Sequence, residues 1–338
     1  MKHARLFSIL VLSMVALYGA IGFYTLPLAN FQGDLTRMGM LPERMFGWTR
    51  PQPAIDPVLM HQSSWKDADV LVVGDSFSDG RVWQTVLTGD GLRVRTETWD
   101  SMRGICGDFM PWLRDQGFNG KYIVFEAIER GAIDVLSKSV ACDRMGFHPS
   151  VYADSPRSPP PVSFDPARGD YSGSLYVGIE TLISAIGYEG ASRTPGFAGR
   201  EMANGIKLVR VKNGCELFSH ARCQDALFLA MDRAEDIPPD TLDSVGKINA
   251  RLSGVTPIWV FVPNKSTAYL YPGKQFWDEA ERRFHAPNLL RVTQQAIREN
   301  TMDLYPANNT QFSTTGYLLM GKEVLKEIQQ ARAGIMPR

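Results

Sequence analysis

The chain has 338 residues, 44% of them hydrophobic and 21% charged, which suits one large domain or a domain with a sizeable insertion. Its 36 basic residues balance its 36 acidic ones, and no strong acidic or basic tract stands out. The electrostatic footprint of a nucleic-acid binder is therefore missing, and nucleic acid is excluded as a partner.

The N-terminus places Lys2, His3 and Arg5 ahead of an apolar stretch from Leu6 to about Leu28. That stretch is long enough to span a bilayer, and basic residues at its start favour a cytoplasmic N-terminus. Leu26-Pro-Leu-Ala-Asn30 makes a poor cleavage site, so an uncleaved signal anchor is preferred to a cleaved signal peptide. Either one carries the body of the protein across the membrane. The expected setting is a bacterial inner membrane with a single-pass N-terminal anchor and the body in the periplasm. Residues 29–67, with Pro42, Pro51, Pro53 and Pro57, read as an irregular stalk, and residues 68–338 as the folded domain.

That domain opens with Asp69-Val-Leu-Val-Val-Gly-Asp-Ser-Phe-Ser78, an apolar run of the kind a buried parallel strand makes, broken by Gly74-Asp75-Ser76. Ligands gather at the carboxyl ends of parallel strands, where the Ser76 hydroxyl would be placed as a nucleophile. Gly74 permits the turn, and Phe77–Leu87 opens a helix whose first amides favour an oxyanion. The same residues also suit an ordinary strand-to-helix turn capped by Asp75 or Ser76. A second strand is expected over Leu92–Thr98, a helix over Gly107–Gln116, and a third strand over Lys121–Glu126, closed by Ala127-Ile-Glu-Arg130. This alternation predicts an α/β fold with a parallel sheet.

Between about 143 and 190 the signals are those of loop and polyproline: His148-Pro149, Ser155-Pro156, Ser158 to Pro161 and Asp165-Pro166. Ile206–Lys212 alternates as a half-buried strand, and Cys215–Phe218 reads as its hairpin partner. Residues 143–228 are thus taken as an insertion in the sheet. The α/β pattern resumes with a helix from Pro238-Pro239-Asp240 to about Leu252 and a strand over Thr256–Val262, which ends at Pro263-Asn264-Lys265. Helices are expected over Gln275–Phe284, Leu289–Glu299 and Gly316–Ala331.

The chain holds four cysteines, Cys106, Cys142, Cys215 and Cys223, which fit an oxidising compartment. The nearness of Cys215 and Cys223 suggests a local loop, which leaves Cys106 with Cys142, but four cysteines allow three pairings and the sequence does not choose. A zinc site would want closer cysteine pairs or histidines, and only His220 is near. No metal or cofactor is expected.

The strand, Gly-Asp-Ser and helix arrangement resembles the SGNH/GDSL hydrolase superfamily. That resemblance implies a three-layer α/β core, a nucleophilic Ser76, and a C-terminal Asp-x-x-His or Asp-x-His element supplying the base and its orienter. More specifically, Pro263-x-Lys265-x-x-x-Tyr269 followed by Asn309-Thr-Gln-Phe312 is similar to the Pro-x-Lys, Tyr and Asp-Thr-His-Trp arrangement of alginate O-acetyltransferases. The likeness covers roughly residues 68–130 and 236–330. In those periplasmic enzymes the serine block follows the Asp-His block, whereas here it comes first, as in ordinary SGNH hydrolases. The resemblance implies acetylation of an exported polysaccharide through an acyl-Ser76, with a membrane-embedded acyltransferase as acetyl donor.

The departure from the pattern falls at the base. The aspartate position holds Asn309 and the histidine position Gln311. An amide is not basic near neutral pH and cannot take the serine proton. Four substitutes are conceivable. One is a histidine recruited from elsewhere, from among His61, His148, His220 and His285, with His3 lying ahead of the anchor. Lys265 would serve if burial lowered its pKa. Glu126 or Glu129 would serve unless Glu129 forms an ion pair with Arg130. Otherwise the site has lost its chemistry.

The backbone amides of Ser76 and Gly104 are the expected oxyanion donors, and Glu126 to Arg130 stand where the family's Gly-Asn-Asp element would be. Trp83, Trp99, Trp112, Trp259 and Trp277 include possible sugar-stacking faces, although most tryptophans fill cores. Three functions follow as expectations: O-acetyltransfer, a decayed SGNH-fold binding or scaffold subunit, and a carbohydrate esterase.

Overall fold

The computed structural model describes residues 2–164 and 171–334, so the Asp165-Pro166 loop signal lies outside the described residues. The chain is α/β, with strands β1 Val70–Gly74, β2 Val94–Thr98, β3 Tyr122–Ile128, β4 Gly199–Glu201, β5 Ile206–Arg210, β6 Asp225–Leu229 and β7 Thr256–Val262. Its contacts divide it into two compact units. The first comprises Met1–Arg50, Ser163–Met231 and Pro306–Thr310. The second comprises Pro51–Val162, Asp232–Tyr305 and Gln311–Arg338. These bounds differ from the expected stalk at 29–67 and insertion at 143–228.

The second unit is built on a four-stranded sheet in the order β2-β1-β3-β7. All of its pairings are parallel. The strands β1, β3 and β7 are buried on both faces, which is why they read as largely apolar runs, whereas β2 carries the buried Arg95–Glu97 ion pair. Leu71, Val73, Ile123, Phe125, Trp259 and Phe261 enter the core on one face, with residues of the helices Phe109–Asp115, Glu129–Ala141, Thr241–Asn249 and Phe276–Phe284. Val70, Val72, Val124, Val260 and Val262 enter the core on the other, with residues of Gln84–Gly89, Leu289–Arg298 and Thr314–Arg332.

The expected helix Phe77–Leu87 is two short pieces, Ser76–Asp79 and Gln84–Gly89. Arg81 separates them with a φ of 56° in the left-handed region, which ends a helix. Its guanidinium donates to the carbonyls of Ala153 and Ser155, and those bonds hold the break in place. A disulfide joins Cys106 to Cys142, tying the segment after β2 to the end of the helix Glu129–Ala141.

The first unit carries the apolar helix Lys2–Thr25. Within the stretch His3–Ala29 an 18-residue window reaches a mean hydropathy of 2.2, long and apolar enough to cross a membrane. Much of the expected irregular stalk folds here, as the short helices Asp34–Gly39 and Glu43–Phe46. The buried Glu43 carboxylate accepts from Thr36 Oγ1, the Gly33 amide and Asn308 Nδ2. Residues 175–192, expected as loop, form the helix Leu175–Ser192, because the prolines that mark the region stop at Pro166 and resume only at Pro195. β5 pairs antiparallel with β4 and β6, not with Cys215–Phe218, where the chain instead makes one helical turn, Gly214–Leu217. Cys215 and Cys223 form the second disulfide, so the pairing left open among three is settled.

Candidate active site

The carboxyl end of β1 is the organising point of the second unit. Gly74 is glycine for want of space: a Cβ there would lie 2.3 Å from Ser78 Oγ and 2.6 Å from Glu126 Oε2. Asp75 then caps the turn, its Oδ1 accepting the Phe77 amide at 2.9 Å. Its Oδ2 accepts the Ile128 amide at 2.7 Å, which braces the turn against the end of β3. Both oxygens of Asp75 are thus committed to backbone donors.

Of the two serines in this turn, Ser76 is exposed and Ser78 is fully buried. Ser78 Oγ donates to Glu126 Oε2 at 2.8 Å and accepts from Trp83 Nε1 at 3.1 Å. Glu126 Oε2 also accepts the Asp75 amide at 3.0 Å. Gln84 Nε2 donates to the Ser78 carbonyl at 2.8 Å, and Trp99 Nε1 to the Glu126 carbonyl at 2.6 Å. Burial, and then the neighbouring Asp75 charge, push the Glu126 carboxyl well above its usual range. Burial raises Asp75 as well, against the pull of its amide donors and of Arg130. Burial and the mutual repulsion of two neighbouring carboxyls both favour the protonated form, and burial is deeper at Glu126.

Gln311 stands beside Ser76. Its Nε2 donates to the Ser76 carbonyl at 3.3 Å, and its Oε1 accepts from Tyr317 OH at 3.0 Å. Asn309 belongs to the first unit, where its amide donates to the Pro306 carbonyl at 3.1 Å. The two positions paired by the family pattern therefore fall in different units.

A second polar cluster lies at the carboxyl ends of β3 and β7. The expected Glu129–Arg130 ion pair is not formed. Glu129 pairs instead with the buried Lys274 and accepts the Asn264 amide at 2.8 Å. Arg130 donates to Asn264 Oδ1 at 3.1 Å and lies 4.0 Å from Asp232 Oδ1. With 24% of its side chain open, its guanidinium is the accessible cation of this group. Ser266 Oγ donates to Asp232 Oδ2 at 2.7 Å, and burial raises the Asp232 carboxyl. Lys265 is only 2% exposed, within the short helix Lys265–Tyr269. The Tyr269 hydroxyl faces the Tyr305 amide, and burial pushes its pKa up.

Gly104 adopts a φ of 127° that only glycine takes readily, and a Cβ there would meet Cys142 Sγ at 3.2 Å and the Ser139 backbone at 3.3 Å. Close packing on the helix Glu129–Ala141 is a structural reason for glycine at this position.

No imidazole among the described residues of this unit hydrogen-bonds Ser76. His61 follows the short helix Pro57–Met60, His148 Nδ1 sits on the Gly146 carbonyl, and His285 ends the helix Phe276–Phe284 in a left-handed conformation. His220 belongs to the first unit, buried with Nδ1 on the Met45 carbonyl. The tryptophans fill cores. Trp259 Nε1 bonds Asn249 Oδ1 and Trp277 Nε1 the Phe261 carbonyl, while Trp112 packs on Trp65 and Phe147.

Sequence reading missed Ser78, Asp232, Ser266 and Lys274. Ser78 had one signal, its place two residues beyond Ser76 in the same turn; the others had none.

Chemically, the open part of the site offers a hydroxyl, a primary amide and a guanidinium. These are the donors and acceptors that recognise hydroxyl- and carbonyl-bearing ligands. Among the described residues no imidazole hydrogen-bonds Ser76, Asp75 is held by two backbone amides, and Glu126 is buried with its carboxyl pushed well above the usual range. No family model matches this chain, and neither a curated protein nor a solved structure is found to match it.

Proposed function

We propose that this chain is a membrane-anchored, SGNH-like component of a polysaccharide O-acetylation system whose Ser76 site binds its ligand without turning it over. The parallel order β2-β1-β3-β7, with helices on both faces, supports a three-layer SGNH-like core with Ser76 at the end of a central strand. The observation that carries the reading is Gln311: it stands beside Ser76, where the family pattern calls for a histidine, and holds the Ser76 carbonyl with an amide. Loss of the base costs orders of magnitude in rate, while the hydrogen-bonding shape of the site is kept. The apolar N-terminal helix and the two disulfides support a body outside the cytoplasm, anchored in a bacterial inner membrane. In that setting a polysaccharide is the ligand, and a membrane-embedded acyltransferase is the neighbouring enzyme.

A second reading is favoured by the exposure of Ser76. Its Oγ would attack the carbonyl of an acetyl ester or thioester and lose its proton to a base brought by a partner, the donor's alcohol or thiol leaving with that proton. A sugar hydroxyl, or water in an esterase, would then take the acetyl group, and its proton would return to Ser76 Oγ through the same base.

The test is Gln311→His. It is expected to create hydrolysis of p-nitrophenyl acetate that Ser76→Ala abolishes, where the natural chain has none. Ser76-dependent turnover by the natural chain would replace the binding reading with the acyl-transfer one.

A further inference from the structure

The helix Leu175–Ser192 presents an unusual outer face. Its exposed residues Tyr176, Ile179, Ile183, Ile186 and Gly190 recur at spacings of three and four, so they form one stripe along the helix. Tyr176 is 71% exposed, Ile183 59% and Ile186 64%, and no charged residue interrupts the stripe. Its two acidic residues, Glu180 and Glu189, lie off the stripe and are half-buried. An outward helical face is ordinarily polar, and a contiguous apolar one marks a contact surface.

What covers it is indicated by where the helix starts. Gly178 packs on the end of the apolar N-terminal helix, so closely that a Cβ would lie 2.3 Å from the Thr25 carbonyl oxygen. Gly173 abuts Ala29 and Leu26 in the same way. Tyr171 stacks on Phe23 with ring centroids 5.4 Å apart. Phe23, Tyr24, Tyr171 and Tyr176 are all exposed there, an aromatic group of the kind found where a membrane helix leaves the hydrocarbon. The stripe thus begins at the exit of the anchor and runs on for about 20 Å at 1.5 Å per residue.

We infer that the helix Leu175–Ser192 lies on the membrane surface, with Tyr176, Ile179, Ile183 and Ile186 in the boundary between lipid headgroups and acyl chains. A lipid surface fits better than a soluble partner because the stripe continues from the membrane segment and carries no charge. The inference rests on the reading of Lys2–Thr25 as a membrane anchor.

The test uses the full chain in vesicles of phosphatidylethanolamine and phosphatidylglycerol. All four native cysteines are in disulfides, so a single added thiol takes a nitroxide label. Ile183→Cys is compared with Leu12→Cys on the anchor and with Lys247→Cys, exposed on the second unit. The label at 183 is expected to collide with oxygen several-fold more than with a water-soluble nickel chelate, as at position 12 and opposite to position 247. A water-like label at 183 with a lipid-like label at 12 overturns the inference and leaves the anchor standing. A water-like label at 12 overturns both. A label at 183 shielded from both reagents also overturns the inference, by placing a protein on the stripe.

Discussion

Glu126→Gln is expected to leave stability near pH 5 almost unchanged and to make the protein more stable than the natural chain as pH rises. Glu126 Oε2 accepts two hydrogen bonds, whereas the buried Oε1 meets no donor, and the Asp75 charge raises the Glu126 carboxyl further. An oxygen in that position is satisfied when it carries a proton directed at Asp75. Glutamine reproduces this state, with an acceptor at Oε1 of the amide and N–H groups where the proton sits. The pKa of the folded state lies well above the ordinary value of 4.5. The native state therefore holds a proton that the unfolded state releases. Its contribution is complete below the unfolded value and is lost as pH rises through the folded one. Within that window the natural chain loses about 1.4 kcal/mol per pH unit from this group. Asp75 is also raised by burial and adds a slope of the same sign, which the variant retains in part. Urea unfolding of both proteins over a series of pH values rising from the ordinary carboxyl value gives the two slopes, and the variant's should be shallower wherever the folded state still holds the proton. Parallel slopes would refute the reasoning. So would a variant weaker by about 3 kcal/mol at every pH, the cost of a lost anionic acceptor.

Gly74→Ala should cost about 2–4 kcal/mol, because its Cβ would displace the Ser78–Glu126 hydrogen bond, whereas Gly89→Ala, whose Cβ meets nothing within 4 Å, should be neutral or slightly stabilising. Denaturant midpoints separate the two. Lys274→Ala leaves the buried Glu129 carboxylate without its cation and should cost about 3–5 kcal/mol. Adding Glu129→Gln should recover part of that loss; a double variant no better than the single would show that the pair is not what holds this region.

How legible each feature was depends on the range of the interactions that make it. The strand Thr256–Val262 stands over the residues expected of it, because a strand buried on both faces reads as an unbroken apolar run. Gly74-Asp75-Ser76 at the end of β1 was legible for the same reason. The helix Leu175–Ser192 was hidden by its apolar outer face, which blurs the periodicity that marks a surface helix. At the turn after β1, sequence gives two serines but not their directions. Close packing at Gly74 and the carboxyl of Glu126, far along the chain, turn Ser78 inward and leave Ser76 open. The Glu129–Lys274 pair joins residues 145 positions apart, a contact that adjacency to Arg130 concealed.

The central claim is that the Ser76 hydroxyl is open to ligand but has no group to take its proton. It is tested most directly by exposing the natural chain and Ser76→Ala to p-nitrophenyl acetate and measuring intact mass and nitrophenol release together. The account predicts no acetyl adduct at Ser76 and identical release from both proteins. An acetyl group on Ser76, absent from the alanine variant, would contradict it.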